Sequence, residues 1–299
     1  MTLNHSSIIR SVPLTVPSKP ATGVARAMGV ILVDADRLLP PQAEQILDFQ
    51  QEHRIRFGDA GRMLGLLTDD DVNFALSVQF GYPYLTRESS LSRELVAAWL
   101  PGSRQVEQLR ALRSQLMLRW FSTAEKRTGL AIVSSGPKEG RSYIAANLAI
   151  VFSQLGERTL LIDADMRAPR QHTLFNVGKS LGLSGMLAGR AGPEAVVGIS
   201  ALQDLSILPA GAIPPNPQEL LGRNEFAKLL LSLGESFDTI IIDTPAASEC
   251  ADAHTVAVRA GAALLVARQH TSSMPQMARL TNSLREFGVT LVGSVLNDV

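Results

Sequence analysis

Residues 130–156, LAIVSSGPKEGRSYIAANLAIVFSQLG, decide the fold. An apolar run at 130–135 enters a glycine-containing turn, SSGPKEGRS (134–142), and a helical stretch follows over 142–155. Such a turn between a buried strand and a helix is a phosphate cradle, because main-chain N–H groups and the positive end of the helix dipole face the anion. Against the pattern GxxxxGK[ST], Ser135 stands at the first glycine and Gly140 at the second. Arg141 replaces the lysine, and Ser142 keeps a hydroxyl able to ligate Mg²⁺. Taken alone, the turn is equally an ordinary strand–helix connection.

The flanking sequence removes that ambiguity. Further apolar runs lie at 159–165, 205–211, 238–245, 262–268 and 290–297, with helical stretches at 217–233, 249–259 and 272–287. Near-continuous apolar strands alternating with helices predict a parallel sheet covered on both faces. LLIDADMR (160–167) puts Asp163, Asp165 and Arg167 on alternate positions, hence on one side of an extended chain. TIIIDTP (239–245) ends in Asp243. Each acid alone could cap a helix or sit in a turn. At strand C-terminal ends, behind a phosphate loop, the three together suit Mg²⁺-assisted phosphoryl transfer.

These motifs, in this order, resemble the bacterial tyrosine kinases of exopolysaccharide export, in the form paired with a separate chain-length determinant. The family pattern is a phosphate loop, a strand ending DxDxR and a strand ending DTP. GPKEGRS, IDADMR and IIIDTPA match it, and IPPNPQELL (213–221), GLSGMLAG (182–189) and SVLND (294–298) extend the match over 104–299. The resemblance implies a P-loop NTPase fold with ATP and Mg²⁺ as cofactors. The loop residues Ser135, Gly136, Pro137, Lys138, Glu139, Gly140, Arg141, Ser142 and Tyr143 would hold the phosphates. Ser142, Asp163 and Asp243 would serve the metal. Asp163 and Asp165 would share metal binding and deprotonation of the acceptor tyrosine, with the roles of the two left open. Arg167 would orient the acidic strand or a phosphate. Glu107, Arg110 and Arg113 match the family's ExxRxxR helix, which implies ring assembly through those charges.

Two departures bear on activity. Arg141 keeps the charge of lysine but is planar and bulkier, so nucleotide binding with slow turnover is expected. The family's C-terminal tyrosine cluster has no counterpart: the tyrosines are Tyr82, Tyr84 and Tyr143. Tyr143 opens a helix and reads as structural. Tyr82 and Tyr84 read as packed aromatics or as acceptors.

The front of the chain repeats itself. AMGVILVDADRLLPPQAEQILDFQ (27–50) aligns with RFGDAGRMLGLLTDDDVNFALSVQ (56–79), matching Gly29 to Gly58, Leu38 to Leu67, Leu47 to Leu76 and Gln50 to Gln79. Each copy has a turn patch that starts a helix, with Ala43/Ile46/Leu47 or Val72/Ala75/Leu76 at core-facing spacing. Thr68 and Asp71 form a capping-box pattern. The tandem, with the trailing FGYPYL (80–85), resembles the N-terminal domain of type II secretion and pilus ATPases, some of which bind cyclic di-GMP. The first copy has Ala27 where that pattern has arginine, so a helical docking module without nucleotide is the preferred reading. The predicted organisation is a flexible tail (1–22), a small mainly helical domain (23–86), a linker carrying a short helix (87–103) and an α/β domain (104–299).

Composition sets outer limits. Of 299 residues, 45% are hydrophobic and 19% charged, too apolar for disorder. Twenty-eight basic and twenty-eight acidic residues cancel, which argues against bulk binding to nucleic acid. The lone Cys250 excludes an internal disulfide, and His5, His53, His172, His254 and His270 show no metal-ligand spacing. No apolar run approaches the ~20 residues of a membrane span. A cytoplasmic protein, peripheral at the inner membrane through its partner, is expected. Two rivals remain at this stage. One is a nucleotide switch like the division-site and partition ATPases, disfavoured because their extra loop lysine falls at Gly136. The other is an adaptor gated by cyclic di-GMP.

Overall fold

The computed structural model describes residues 27–80, 85, 89–122, 127–179 and 181–298. The expected tail at 1–22 and both Tyr82 and Tyr84 lie outside them. The chain divides into two compact units, Met1–Phe80 and Gly81–Val299.

The first unit holds α1 (Met28–Asp34), α2 (Pro40–His53), α3 (Phe57–Met63) and α4 (Asp69–Phe80). The sequence repeat is a structural repeat: α3 starts 29 residues after α1, and α4 starts 29 residues after α2. Packing crosses between the copies, α1 on α4 and α2 on α3. Gly29 abuts Phe57 and Ala43, and Gly58 repeats that pattern against Met28 and Val72. Ile31, Leu32, Leu38, Ile46, Ala60, Leu67 and Ala75 form the core. The capping box is present, with Asp71 N donating to Thr68 Oγ1 (3.2 Å) and Thr68 N to Asp71 Oδ2 (2.9 Å). The repeat alignment located α2 and α4. The seven-residue α1 and α3 are too short for periodicity to reveal.

The second unit carries one sheet. Its strands are β1 (Gly129–Val133), β2 (Thr159–Asp163), β3 (Val197–Gly198), β4 (Leu205–Leu208), β5 (Thr239–Asp243), β6 (Ala262–Arg268) and β7 (Thr290–Asn297). The order is β3-β4-β2-β5-β1-β6-β7, parallel throughout except for the two-residue edge strand β3. The helices are α5 (Val96–Trp99), α6 (Arg104–Leu116), α7 (Arg141–Ser153), α8 (Gln171–Leu174), α9 (Leu183–Leu187), α10 (Pro217–Gly222), α11 (Asn224–Ser236), α12 (Asp252–Ala260) and α13 (Met274–Glu286). Strand alternation feeds two cores. Leu130, Ile132, Leu161 and Ile241 face one, and Ala131, Val133, Leu160 and Ile242 face the other. Burial on both faces is why these strands read as unbroken apolar runs. The helix expected over 217–233 is two, because Arg223 is extended between α10 and α11.

The stretch expected as linker is packed where it is described. Leu91, Leu95, Ala97 and Ala98 are buried in the same core as α7. Asn147, on α7, ties it down: Oδ1 accepts from Ala97 N (2.9 Å), and Nδ2 donates to the carbonyls of Glu94 (2.9 Å) and Tyr143 (3.0 Å). Asn147→Leu keeps the volume but strands buried main-chain groups, at about 2–4 kcal/mol. The expected readout is a lower urea midpoint with an unchanged slope.

Candidate functional site

The sheet order puts β5 between β2 and β1. Register sets Asp163 opposite Asp243 across β2 and β5, and Asp243 opposite Ile132 of β1. The loop that leaves β1 therefore starts at the same rim as both acids, where parallel sheets bind ligands.

Two residues of the loop have positive φ, Lys138 (59°) and Gly140 (100°). The φ of Gly140 favours glycine, and a Cβ there would also displace the Asn297 amide that braces the loop. Pro137 and Lys138 are exposed at the tip. The Glu139 side chain is buried and turns back into the loop. Its carboxylate accepts from Gly136 N (3.0 Å), Ser135 Oγ (3.3 Å) and Ser272 Oγ (2.6 Å). The ends of β6 and β7 brace the loop from outside: Arg268 Nη1 donates to Lys138 O (3.2 Å), and Asn297 Nδ2 to Glu139 O (3.3 Å). Behind the loop stands α7, thirteen residues long, whose first N–H groups have no intrahelical acceptor.

Arg141 is buried and folded under the loop. Nε donates to Thr244 O (2.8 Å), and Nη1 donates to Gly136 O (2.7 Å) and to Ser134 Oγ. The guanidinium thus joins the exit of β1 to the exit of β5.

The acids differ in their surroundings. Asp163 is fully buried: Oδ1 accepts from Asp165 N (3.2 Å), and Oδ2 from Arg170 N (3.0 Å) and Gln171 N (2.9 Å). Burial, then the charge of Asp243, holds its carboxyl well above the usual range. Asp165 Oδ1 accepts from Arg167 N (3.1 Å) and Ala168 N (2.9 Å). Asp243 Oδ2 accepts from Gln171 Nε2 (2.7 Å), while Oδ1 is buried without a partner. Burial pushes Asp243 up to about 6, against the lowering pull of the Gln171 hydrogen bond, the neighbouring Ser142 side chain and the nearby Arg141 charge. The Ser142 carbonyl also accepts from Gln171 Nε2 (3.2 Å). Tyr143 follows in the first turn of α7, half-buried, and burial raises its phenol.

Arg167 points elsewhere: Nε and Nη2 grip Asp252 (2.9 and 3.4 Å), a buried acid at the start of α12. Glu107 and Arg110, which the resemblance implies for ring assembly, pair with each other. Arg113, the third residue of that pattern, turns inward and donates from Nη1 to Val151 O (2.7 Å).

The cluster fits a divalent cation. Asp243 Oδ1 and Gln171 Oε1 are buried oxygens lacking partners, beside a serine hydroxyl and two carboxylates in mutual repulsion. Mg²⁺ takes one or two carboxylates and completes its shell with phosphate oxygens and water. Among the described residues no three Asp, Glu, His or Cys side chains converge as a self-sufficient cage. Sequence reasoning missed Gln171, Asp252, Thr244, Arg268 and Ser272. None carries a spacing rule, and only the acid Asp252, opening a helix, had any local signal.

A parallel sheet with a phosphate loop at its centre, followed in register by two strand-end acids, defines a P-loop nucleotide-binding domain. No protein-family model matches the chain. Over 211 residues it is 34% identical to tyrosine-protein kinase YwqD of Bacillus subtilis, covering 71% of this chain and 88% of that one. Over 199 residues it is 33% identical to tyrosine-protein kinase etk of Escherichia coli K12, covering 67% of this chain and only 27% of that longer one. The kinase domain of Escherichia coli tyrosine kinase ETK superposes with a TM-score of 0.66 at 30% identity, covering 72% of this chain and 83% of that one. The chain belongs to the bacterial tyrosine-protein kinases.

Proposed function

We propose that this chain transfers the γ-phosphoryl group of ATP to a tyrosine on a protein of an exopolysaccharide export system, with a membrane chain-length determinant as partner. The supporting observation is the in-register Asp163–Asp243 pair beside the loop, with one unpartnered oxygen on Asp243, whose carboxyl neighbours the Ser142 side chain.

The loop main chain from Gly136 to Ser142, with the start of α7, binds the phosphates. Ser142 and Asp243 would hold Mg²⁺, which would supply charge neutralisation for the transferring phosphoryl group. Asp163 has both oxygens on main-chain N–H groups, so it shapes the acidic turn beside Asp243. Asp165, whose Oδ1 is held by the main chain of the acidic turn, is the base in this reading. It accepts the tyrosine proton as the phenolic oxygen forms its bond to phosphorus and the bond to the ADP oxygen breaks. Arg167, held by Asp252, fixes the loop after Asp165 rather than touching phosphate. No helix among the described residues is long and apolar enough to cross a membrane; in this reading the chain meets the inner membrane through its partner. The exposed Glu107–Arg110 pair on α6 is the surface offered to a second copy.

The test is incubation with ATP, Mg²⁺ and the cytoplasmic part of the membrane partner, read by phosphopeptide mapping. Phosphotyrosine is expected on the partner. Asp165→Asn should lower turnover at least 100-fold while ATP affinity changes by less than a few-fold. Absence of phosphotyrosine on every protein, from both wild type and Arg141→Lys, would remove the kinase reading.

One observation favours a second reading, a nucleotide-responsive adaptor without turnover: the Arg141 guanidinium is hydrogen-bonded to the protein itself. ATP binding without any phosphotyrosine in that assay selects it.

A further inference from the structure

The two copies of the front repeat share a backbone plan but differ at the groove between their two helices. In the first copy, a groove of about 540 Å³ runs between Val30 and Val33 of α1 and Pro40, Ala43 and Leu47 of α2, with Phe57 beside it. Val30 is 50% exposed and Leu47 44%. Stepping 29 residues along, the second copy has Asp59 for Val30, Arg62 for Val33 and Asp69 for Pro40. There Arg62 bonds Asp69 (2.7 Å) and Asp59, bridging α3 and α4 across the equivalent gap. The molecule therefore carries its own control: one groove bridged by ion pairs, one lined mainly by apolar side chains.

The electrostatics identify what suits the open groove. Residues 27–80 hold nine acidic and four basic side chains, although the whole chain is neutral. The exposed Glu44 and Asp48 stand one position on from Ala43 and Leu47. An apolar trough on an acidic unit disfavours a phosphate dianion and favours a cationic, apolar-faced partner. The stripe from Pro40 to Gln50 spans about 15 Å at 1.5 Å per residue, which accommodates roughly three turns of helix. Cytoplasmic segments flanking membrane spans are rich in Lys and Arg, so a membrane protein supplies this chemistry readily.

We propose that the α1–α2 groove of the first repeat docks a basic amphipathic helix of a partner protein, seating apolar residues at i, i+3/i+4 and i+7 against Val30, Val33 and Leu47. The second repeat is the same scaffold with the equivalent gap bridged by Arg62.

The test uses the full chain and a labelled Leu/Lys peptide of about 14 residues, with leucines at helical spacing, read by fluorescence anisotropy. Expected are saturable 1:1 binding that weakens with salt, and at least 10-fold weaker binding by a Glu-faced version and by a scrambled Leu/Lys peptide. The double variant V30D/V33R copies the charges of the second repeat and should lose binding at least 10-fold, with unchanged circular dichroism. Arg62→Ala, in the second copy, should leave the first site's affinity intact. Equal binding of the Glu-faced or scrambled peptide overturns the proposal, as does no binding at all. So would cyclic di-GMP binding, or concentration-dependent dimerisation, that V30D/V33R abolishes. Peptide binding that appears only after removal of residues 1–26 assigns the groove to the chain's own N-terminus and also overturns it.

Discussion

Arg141→Met is expected to weaken ATP binding at least 100-fold while the sheet stays folded, whereas Arg141→Lys should bind ATP within a few-fold and turn over about 10-fold faster. The first effect follows from what the guanidinium holds. Its donors satisfy the carbonyls of Gly136 and Thr244 and pair with Ser134, so it fixes the loop's path from beneath. Methionine fills similar volume and leaves buried acceptors unpaired, at about 1–3 kcal/mol each. A loop freed of that restraint no longer presents its N–H groups as a cradle, and the positive charge beside the phosphates is gone as well. The second effect follows from geometry. To approach a γ-phosphate, a planar guanidinium must leave acceptors on two sides. An ammonium is compact and its three donors reorient freely. A tenfold gain corresponds to about 1.4 kcal/mol off the barrier, the scale of a net hydrogen bond. Isothermal titration with ATP separates binding from turnover. If Arg141→Lys turns over more slowly than wild type, the inward guanidinium is no restraint on the reaction.

What the sequence reveals follows from how local each determinant is. The strands of the central sheet were legible because burial on both faces writes an unbroken apolar run, as in Leu130–Val133 and Ile240–Ile242. The edge strand β3 was not: Val197 and Gly198 are exposed, and only their antiparallel pairing to β4 makes them a strand. The acids were legible because they end such runs. Their inequality was not, because it depends on distant partners. Asp163 is engaged by the main chain of Arg170 and Gln171, and Asp243 by a glutamine 72 residues earlier. Arg167 shows the same limit: its motif places it beside the acids, but Asp252 draws it to α12. The front repeat lies at the other extreme. A sequence alignment alone predicted a duplicated unit, and Gly29 and Gly58 occupy equivalent contacts.

Asp243→Asn is expected to lower phosphoryl transfer at least 1,000-fold and, at pH 8, to raise stability. Loss of activity follows from removing a charge that the metal site requires; asparagine preserves shape and can still accept from Gln171. The stability change has a defined pH window. The folded carboxyl titrates at about 6, against 3.8 for an unperturbed one, because burial penalises the ionised form. Below about pH 4 both folded and unfolded chains hold the proton, and the variant has no advantage. As pH rises from about 4 to 6, the unfolded chain releases its proton while the folded chain keeps it, so wild-type stability falls. Above about 6 the folded carboxyl ionises too, and the full penalty is in place, about 3 kcal/mol at 1.36 kcal/mol per pH unit. Asparagine never carries that penalty. It also relieves Asp163, whose carboxyl is raised in part by its neighbour's charge. Urea midpoints at pH 4.5 and 8 should therefore coincide more closely for the variant than for wild type. Saturating Mg²⁺ and ATP should narrow the difference at pH 8, because a bound cation stabilises the ionised wild-type carboxylate and not the amide. A variant no more stable than wild type at pH 8 would mean that Asp243 is already compensated without metal. The unpartnered Asp243 oxygen would then lose its meaning as a metal ligand.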